Sequence, residues 1–231
     1  MTENNREKFV RDYKDAEYKY LAVIDKCEYI IKVLDRYLKR KSDVEIVRYY
    51  NRIKDVDEVI KKAEEKKLDL DLSEVEQRIH DIVGFRIVTN YIYEIYEIAE
   101  TLTKIPGFTV IKTKDYIVKM KESTYRSLHL VAMIEVYTGE SSQVLPVEVQ
   151  ICDVMMEAWS TLEHREKYKR KNVSERLSES FIRQGREMKA FDEEINAHAL
   201  AERQRNLESG TMCNTARVSA NEPIIEQKVE S

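Results

Sequence analysis

The sequence is short of the residues that punctuate loops. Only 5 glycines and 3 prolines occur among 231 residues, which argues against a loop-dominated all-β architecture. Cysteine is scarce and odd in number. Cys27, Cys152 and Cys213 lie far apart and give neither a disulfide framework nor a zinc-ligand spacing; a reducing, cytoplasmic setting is expected. No apolar run approaches the roughly 20 residues of a membrane span. The opening stretch MTENNREKFVRDYKDAEY lacks the apolar segment of a signal peptide, so no membrane association is expected. Neither sign of charge dominates: 39 Lys and Arg against 43 Asp and Glu leave a net −4, too mild to read the chain as a nucleic-acid binder from bulk charge. The pattern GxxxxGK[ST] is absent, which excludes the P-loop enzymes.

Charge of both signs is plentiful: 35% of residues are charged and 42% hydrophobic. The length allows one α+β domain with helical extensions. Phe9, Tyr13, Ala16, Tyr20, Ile24, Cys27, Ile31, Leu34 and Leu38 recur at spacings of three and four, predicting one long helix from about Glu7 to Lys39. Val44 to Lys54 is β-branched and aromatic, a strand. Helices are expected over 55–67, over 73–80 behind the capping-box pattern SEVE at Ser73, and over 91–104. Strands are expected from Ile82, over 108–112, over 128–137, and over 144–151, the last two as an antiparallel hairpin around TGESS. Helical spacing returns from 174 to about Leu207, and the stretch 208–231 has the polar composition of disorder. The expected division is an N-terminal helical region 1–43, a core 44–172, a C-terminal helix 173–207 and a tail 208–231.

The most informative stretch is LPVEVQICDVMMEAWSTLEHREKYK, Leu145 to Lys169. Val147, Val149 and Ile151 alternate with Glu148 and Gln150, the period of a strand with one apolar and one chemically equipped face. A carboxylate in a valine-rich strand must be solvated, paired or bound to a cation. After Asp153, a candidate N-cap, Met156, Trp159, Leu162 and His164 predict an amphipathic helix. Asp81 precedes the strand IVGFRIV. If Asp81 and Glu148 face one cleft, two carboxylates could hold one Mg²⁺. Arg52, Lys54, Arg86, Lys114, Lys119, Lys121, Arg126 and His129 lie around them in the sequence, a set that suits a polyphosphate. The bland readings stand beside this one. His80-Asp81 resembles the HD dipeptide of metal phosphohydrolases, but only His129, His164 and His198 remain as further histidines, so His80 reads as a helix-end residue. Trp159, Met155 and Met156 read as core. The run from Arg165 to Lys171 reads as a solvated helix end, and Cys152 as an inert, partly buried thiol.

The four runs HDIVGFRI, KESTYRSLHL, VEVQI and EAWSTLEHREKYK together resemble the synthetase domain of RelA/SpoT proteins, in particular the single-domain small alarmone synthetases of the RelQ type. The resemblance covers about Phe9 to Leu207. It implies a mixed β-sheet flanked by helices, related to nucleotidyltransferases, and transfer of pyrophosphate from ATP to the 3′-hydroxyl of GDP or GTP with Mg²⁺. Residue by residue, it implies that Asp81 and Glu148 are the metal and catalytic carboxylates. It places Arg52 and Arg86 on the adenine, Lys54 on the ATP phosphates and Tyr125 stacked on guanine. Lys114, Lys121, His129 and Gln150 fall on the acceptor side, and His164 in a motif position. It also implies a homotetramer with an alarmone-binding cleft between subunits. The alternative is a degenerate synthetase that binds nucleotide, alarmone or single-stranded RNA as a regulatory module. Three positions depart from the family pattern: Thr124 stands where glycine is usual, Cys152 where arginine is usual, and Glu65 where a basic residue is often found. Thr124 would strain the loop if that position needs a positive φ. Phe9, Tyr13, Tyr20 and Ile24 at one end, and Phe181, Met188, Phe191 and Ile195 at the other, are expected to leave apolar stripes exposed for assembly unless the two terminal helices pack on each other within one chain.

Overall fold

The computed structural model describes residues 3–139, 141–169 and 175–209. Among these, seven helices and five strands follow in the order α1 (Glu3–Asp15), α2 (Glu17–Ser42), β1 (Arg48–Ile53), α3 (Val56–Glu65), α4 (Leu72–Arg78), β2 (Val83–Thr89), α5 (Ile92–Thr103), β3 (Phe108–Asp115), β4 (Leu128–Tyr137), β5 (Ser142–Asp153), α6 (Val154–Lys169) and α7 (Glu175–Glu208). The strands form one mixed sheet in the order β1-β2-β5-β4-β3. Only the central pair, β2 and β5, is parallel.

The alternation in β5 decides which face does what. Val147, Val149 and Ile151 are buried in the core, while Glu148 and Gln150 stay half-open on the other face. Burying each such apolar side chain stabilises by about 1.5–3 kcal/mol. A one-residue slip would invert all of them together, so the register that fixes the core also fixes the site. Phe85 and Ile87 of β2 and Leu128, Leu130 and Ala132 of β4 complete the core. Helices α2 and α5 pack over the strands, α2 through Tyr20, Val23, Cys27, Ile30, Ile31, Leu34 and Leu38.

Several expectations are corrected here. The N-terminal helix is two helices, broken at Ala16, where Lys19 donates to the Ala16 carbonyl in a tight turn. Alanine is the strongest helix former, so nothing local in the sequence marks this break. The cap of α4 is Asp71, whose carboxylate accepts from the Glu74 amide at 3.0 Å, and not Ser73. Strand β3 runs on to Asp115, which puts Lys114 on the sheet. Phe9, Tyr13 and Tyr20 are buried core residues and not an exposed stripe; the Tyr13 hydroxyl donates to the Lys54 carbonyl at 2.6 Å. The exposed apolar residues of α2 are instead Tyr18, Leu21, Tyr29, Val33 and Tyr37. On α6, Leu162 is exposed while Met156 and Trp159 are buried and Met155 half-buried. At the other end Phe191 and Ile195 are exposed, as expected, while Phe181 and Met188 are half-buried. No helix among the described residues is long and apolar enough to cross a membrane. The expected disordered tail falls almost wholly outside the described residues, as does Cys213.

Candidate active site

Residues directly opposite one another in a sheet share a face. The register therefore lays two rows of side chains across the non-core face. One row runs Tyr50, Arg86, Gln150, His129, Lys114; the other runs Arg52, Gly84, Glu148, Val131, Lys112. Most of the residues singled out from the sequence thus meet on one surface. Gly84 leaves a gap between Arg52 and Glu148; a Cβ there would come only to 4.0 Å from the Arg52 Cγ, so the absence of a side chain opens the surface rather than relieving a clash.

A chain of polar contacts crosses this face. Arg86 donates to Ser160 Oγ of α6 at 3.3 Å and to Gln150 Oε1 at 2.9 Å. The Gln150 amide donates to Glu148 Oε2 at 2.9 Å. Glu148 Oε1 lies 3.5 Å from His129 Nδ1. His129 Nε2 meets the Tyr125 hydroxyl at 3.0 Å, and that hydroxyl accepts from Ser127 at 2.9 Å. Burial alone would raise the Glu148 carboxyl; the hydrogen bonds from His129 and Gln150 outweigh it and hold the group down at about 2, against a smaller upward push from the nearby Asp81 charge. At neutral pH the group is a carboxylate anion. It is suited to holding positive charge.

Asp81 sits in the turn between α4 and β2. The Lys54 amide donates to the Ile82 carbonyl at 2.8 Å, extending the β1–β2 pairing and bringing the Lys54 side chain alongside. Asp81 Oδ2 accepts from Lys54 Nζ and from Lys62 Nζ, both at 2.5 Å. Burial would raise this carboxyl too, but the two ammonium groups prevail and its pKa is lowered. Asp81 Oδ1 is buried with no partner. Lys62, on α3, escaped the sequence reading; helical spacing alone could not say that it reaches back to a turn 19 residues on.

Tyr125 stands in the segment joining β3 to β4. Its ring meets Tyr116 edge-on at 6.3 Å and His129 at 5.9 Å. The Lys121 ammonium lies over both tyrosine rings, 4.2 Å from the Tyr116 centroid and 4.8 Å from that of Tyr125. Tyr116 is a second aromatic that the sequence did not single out among 14 tyrosines. Burial raises the Tyr125 pKa. Arg52 is largely exposed, 3.6 Å from Glu58. Lys114 is half-buried and Lys119 exposed, His164 is exposed on α6, and His80 bonds the Gln77 carbonyl at a helix end, as expected.

The three departures have distinct consequences. Thr124 does adopt a left-handed backbone, with φ of 64°. Cys152 is buried, and burial pushes its thiol up to about 12, which makes it inert. Arg48 stands two strands away in the same row as Cys152, and its Nε donates to the buried Glu157 at 3.0 Å, so this corner keeps a cation. Glu65 ends α3, exposed.

The family model described as a region found in RelA / SpoT proteins matches residues 51–173. YjbM of Bacillus subtilis strain 168, a GTP pyrophosphokinase, is 34% identical over 167 residues, 72% of this chain and 77% of that protein. YwaC of the same organism, also a GTP pyrophosphokinase, is 33% identical over 122 residues, 53% of this chain and 58% of YwaC, less than two thirds of its length. The crystal structure of small alarmone synthetase 1 from Bacillus subtilis bound to its product pppGpp matches with a TM-score of 0.75 at 28% identity, over 83% of this chain and 98% of that one. All four motif runs lie in or directly beside the five-stranded sheet, and the chain belongs to the RelA/SpoT family, with the fold of its small alarmone synthetases.

Proposed function

We propose that the protein is a (p)ppGpp synthetase that transfers the β,γ-pyrophosphate of ATP to the 3′-hydroxyl of GDP or GTP. The bond between the α-phosphorus and its bridging oxygen to the β-phosphorus stays with AMP; the β-phosphorus to bridging-oxygen bond breaks. The 3′-oxygen bonds to the β-phosphorus and its proton passes to Glu148 or to water, giving AMP and a 3′-pyrophosphorylated guanosine. The observation that carries this reading is the chain of polar contacts from Arg86 through Gln150, Glu148 and His129 to Tyr125. It runs from residues suited to an adenine to one suited to a guanine, with Glu148 between them.

Arg52 and Arg86 are diagonal neighbours across β1 and β2. Such neighbours stand roughly 7–8 Å apart, about the spacing of two guanidinium planes with a base between them, and guanidinium is the cation that stacks best. Lys54 and Lys62, already aimed at Asp81, are placed for the ATP phosphates. Tyr125, with Tyr116 beside it, offers the ring for the acceptor base; the Lys121 ammonium over it must then swing aside, toward the acceptor phosphates.

The donor set fits Mg²⁺. It is two carboxylates, oxygen ligands only, and one of them keeps a buried oxygen, Asp81 Oδ1, without a partner. Asp81 and Glu148 would hold the ion, which would supply charge neutralisation at the phosphates. In this reading Glu148 helps hold the ion and is the candidate acceptor for the 3′-hydroxyl proton. The finer RelQ assignment, the core boundaries 44–172 and a cytoplasmic setting belong to the same proposal. So does assembly: the exposed residues of α2, Tyr18, Leu21, Tyr29, Val33 and Tyr37, form a patch of the kind that marks interfaces. Light scattering that stays near the chain mass of 27.4 kDa at high concentration would reject it.

The test of function is a product assay with labelled ATP and GDP or GTP. AMP and the 3′-pyrophosphorylated guanosine should form together with Mg²⁺ and vanish with a chelator. Nucleotide binding without either product would replace the synthetase with a regulatory binding module.

A further inference from the structure

Two side chains flank Tyr125, and both are buried away from the site. Thr124 is 3% exposed. Its backbone is left-handed, and its amide donates to the Lys121 carbonyl at 2.8 Å in a tight turn. Arg126 is paired with Asp192 of α7, Nη1 to Oδ2 at 2.7 Å, with the two side chains 4% and 5% exposed. Neither contact touches the reacting face, yet both grip the segment that presents Tyr125.

On α7 the matching residues are Gly185 and Asp192. They are seven apart, two helical turns, and so lie on one face. Glycine inside a long helix costs stability relative to alanine, so a buried one there needs a packing reason. The reason is Thr124. A Cβ at Gly185 would lie 2.0 Å from Thr124 Oγ1, 2.7 Å from Thr124 Cβ and 2.9 Å from Trp159 Nε1. No side chain fits. The same face of α7 continues to Asn196, whose Oδ1 accepts from the Tyr93 amide at 2.9 Å, and to Arg203, 2.9 Å from Glu97 and stacked over the Tyr93 ring. The helix is therefore fastened to α5 at one end and to the Tyr125 segment at the other.

We infer that α7 positions the acceptor loop, with Gly185 as the size complement of Thr124 and Asp192 as the anchor of Arg126, so that the C-terminal helix sets how the guanine nucleotide is held. This rests on the proposed acceptor role of Tyr125. Both are positioning residues; they act through the backbone on either side of Tyr125 and touch no substrate.

The experiment compares the full-length wild type with Gly185→Ala, Thr124→Gly, the double variant and Asp192→Asn. The readouts are calorimetric binding of GDP and of a non-hydrolysable ATP analogue, and separate KM values for the two substrates. Overpacking by one methyl group against the buried Thr124 and Trp159 side chains should raise the acceptor KM by about tenfold or more while the ATP values change little. In the double variant the two closest contacts are gone, leaving only Trp159, so GDP binding should return most of the way to that of Thr124→Gly alone. Asp192→Asn, which keeps the shape and removes the charge, should show the same selectivity for the acceptor. Equal losses for both nucleotides, or a double variant as impaired as the product of its singles, would overturn the inference. If Gly185→Ala does not fold, Asp192→Asn decides alone: an unchanged GDP affinity in it overturns the proposal. A wild type that binds no guanine nucleotide would instead refute the acceptor reading beneath it.

Discussion

The two halves of the candidate site are built differently. The half proposed for ATP, the donor half, is built on and beside the sheet. Arg52 and Arg86 occupy fixed register positions on β1 and β2, and Lys54 and Lys62 are held on Asp81 by direct ion pairs. The half proposed for the guanine nucleotide, the acceptor half, hangs on a connection between β3 and β4. It contains a non-glycine residue with positive φ, and a helix far along the chain holds it from behind. Sheet positions are set by the same burial that stabilises the core, so they tolerate little adjustment. A loop clamped by one ion pair and one close contact can be tuned without disturbing the core. In the proposed reading, affinity for ATP is decided by register and affinity for the guanine nucleotide by α7.

The largest effect expected is at the residue where the halves meet. Glu148→Gln removes the charge at nearly constant volume. Turnover should fall by about a thousandfold or more, the scale of losing one preorganised electrostatic group, with melting temperature and both nucleotide affinities largely kept. Loss of fold would mean that the carboxylate serves the sheet and not the chemistry. Next comes the clamp. Arg126→Ala leaves the Asp192 charge buried and unpaired, and breaking a buried pair in this way costs about 3–5 kcal/mol; thermal melts should register it as a large drop.

A smaller effect involves Asp153, the last residue of β5, which caps α6 through the Met156 amide at 2.8 Å. It is fully buried. That burial, and the neighbouring Asp192 carboxylate, raise its pKa to about 7. A raised carboxyl favours the fold in its protonated form. Its contribution is full below the ordinary value of 3.8 and is lost as pH rises through about 7. Asp153→Asn keeps a good cap and never ionises. It should gain stability above neutral pH, on the order of 1 kcal/mol, and flatten the dependence; a melt series from pH 5 to about 8.5 that shows the variant equal to or below wild type throughout would contradict this. The smallest change is expected for Thr124→Gly. Relief of the left-handed backbone is worth about 1–2 kcal/mol, but the threonine also fills the space beside Gly185, so the gain is offset and stability should stay within about 1 kcal/mol of wild type.

The asymmetry between the halves also governs what the sequence made legible. Arg52, Arg86, Glu148 and Gln150 sit in strands whose alternation announces which side chains share a face, so Glu148 and Gln150 could be separated from Val147, Val149 and Ile151 by period alone. The motif KESTYRSLHL marked Tyr125 only through family resemblance. Contacts between distant elements leave no local trace. Lys62 looked like one lysine among many on a helix surface, and Gly185 and Asp192 like ordinary members of an amphipathic pattern. The N-terminal aromatics were read with the right period but the wrong destination, because periodicity shows that a helix has an apolar face and cannot say what covers it. The break at Ala16 had no signal, since its residue type favours the opposite.

The contrast between the halves is tested most directly by a crossed binding experiment. Tyr125→Ala and Arg86→Ala are each titrated with GDP and with a non-hydrolysable ATP analogue. Tyr125→Ala should weaken GDP by roughly 1–3 kcal/mol, the worth of one base stacked on an aromatic ring, and leave the ATP analogue nearly unchanged; Arg86→Ala should do the reverse. Parallel losses of both nucleotides in either variant, or the opposite pattern, would contradict the division of this sheet face into a donor half and an acceptor half.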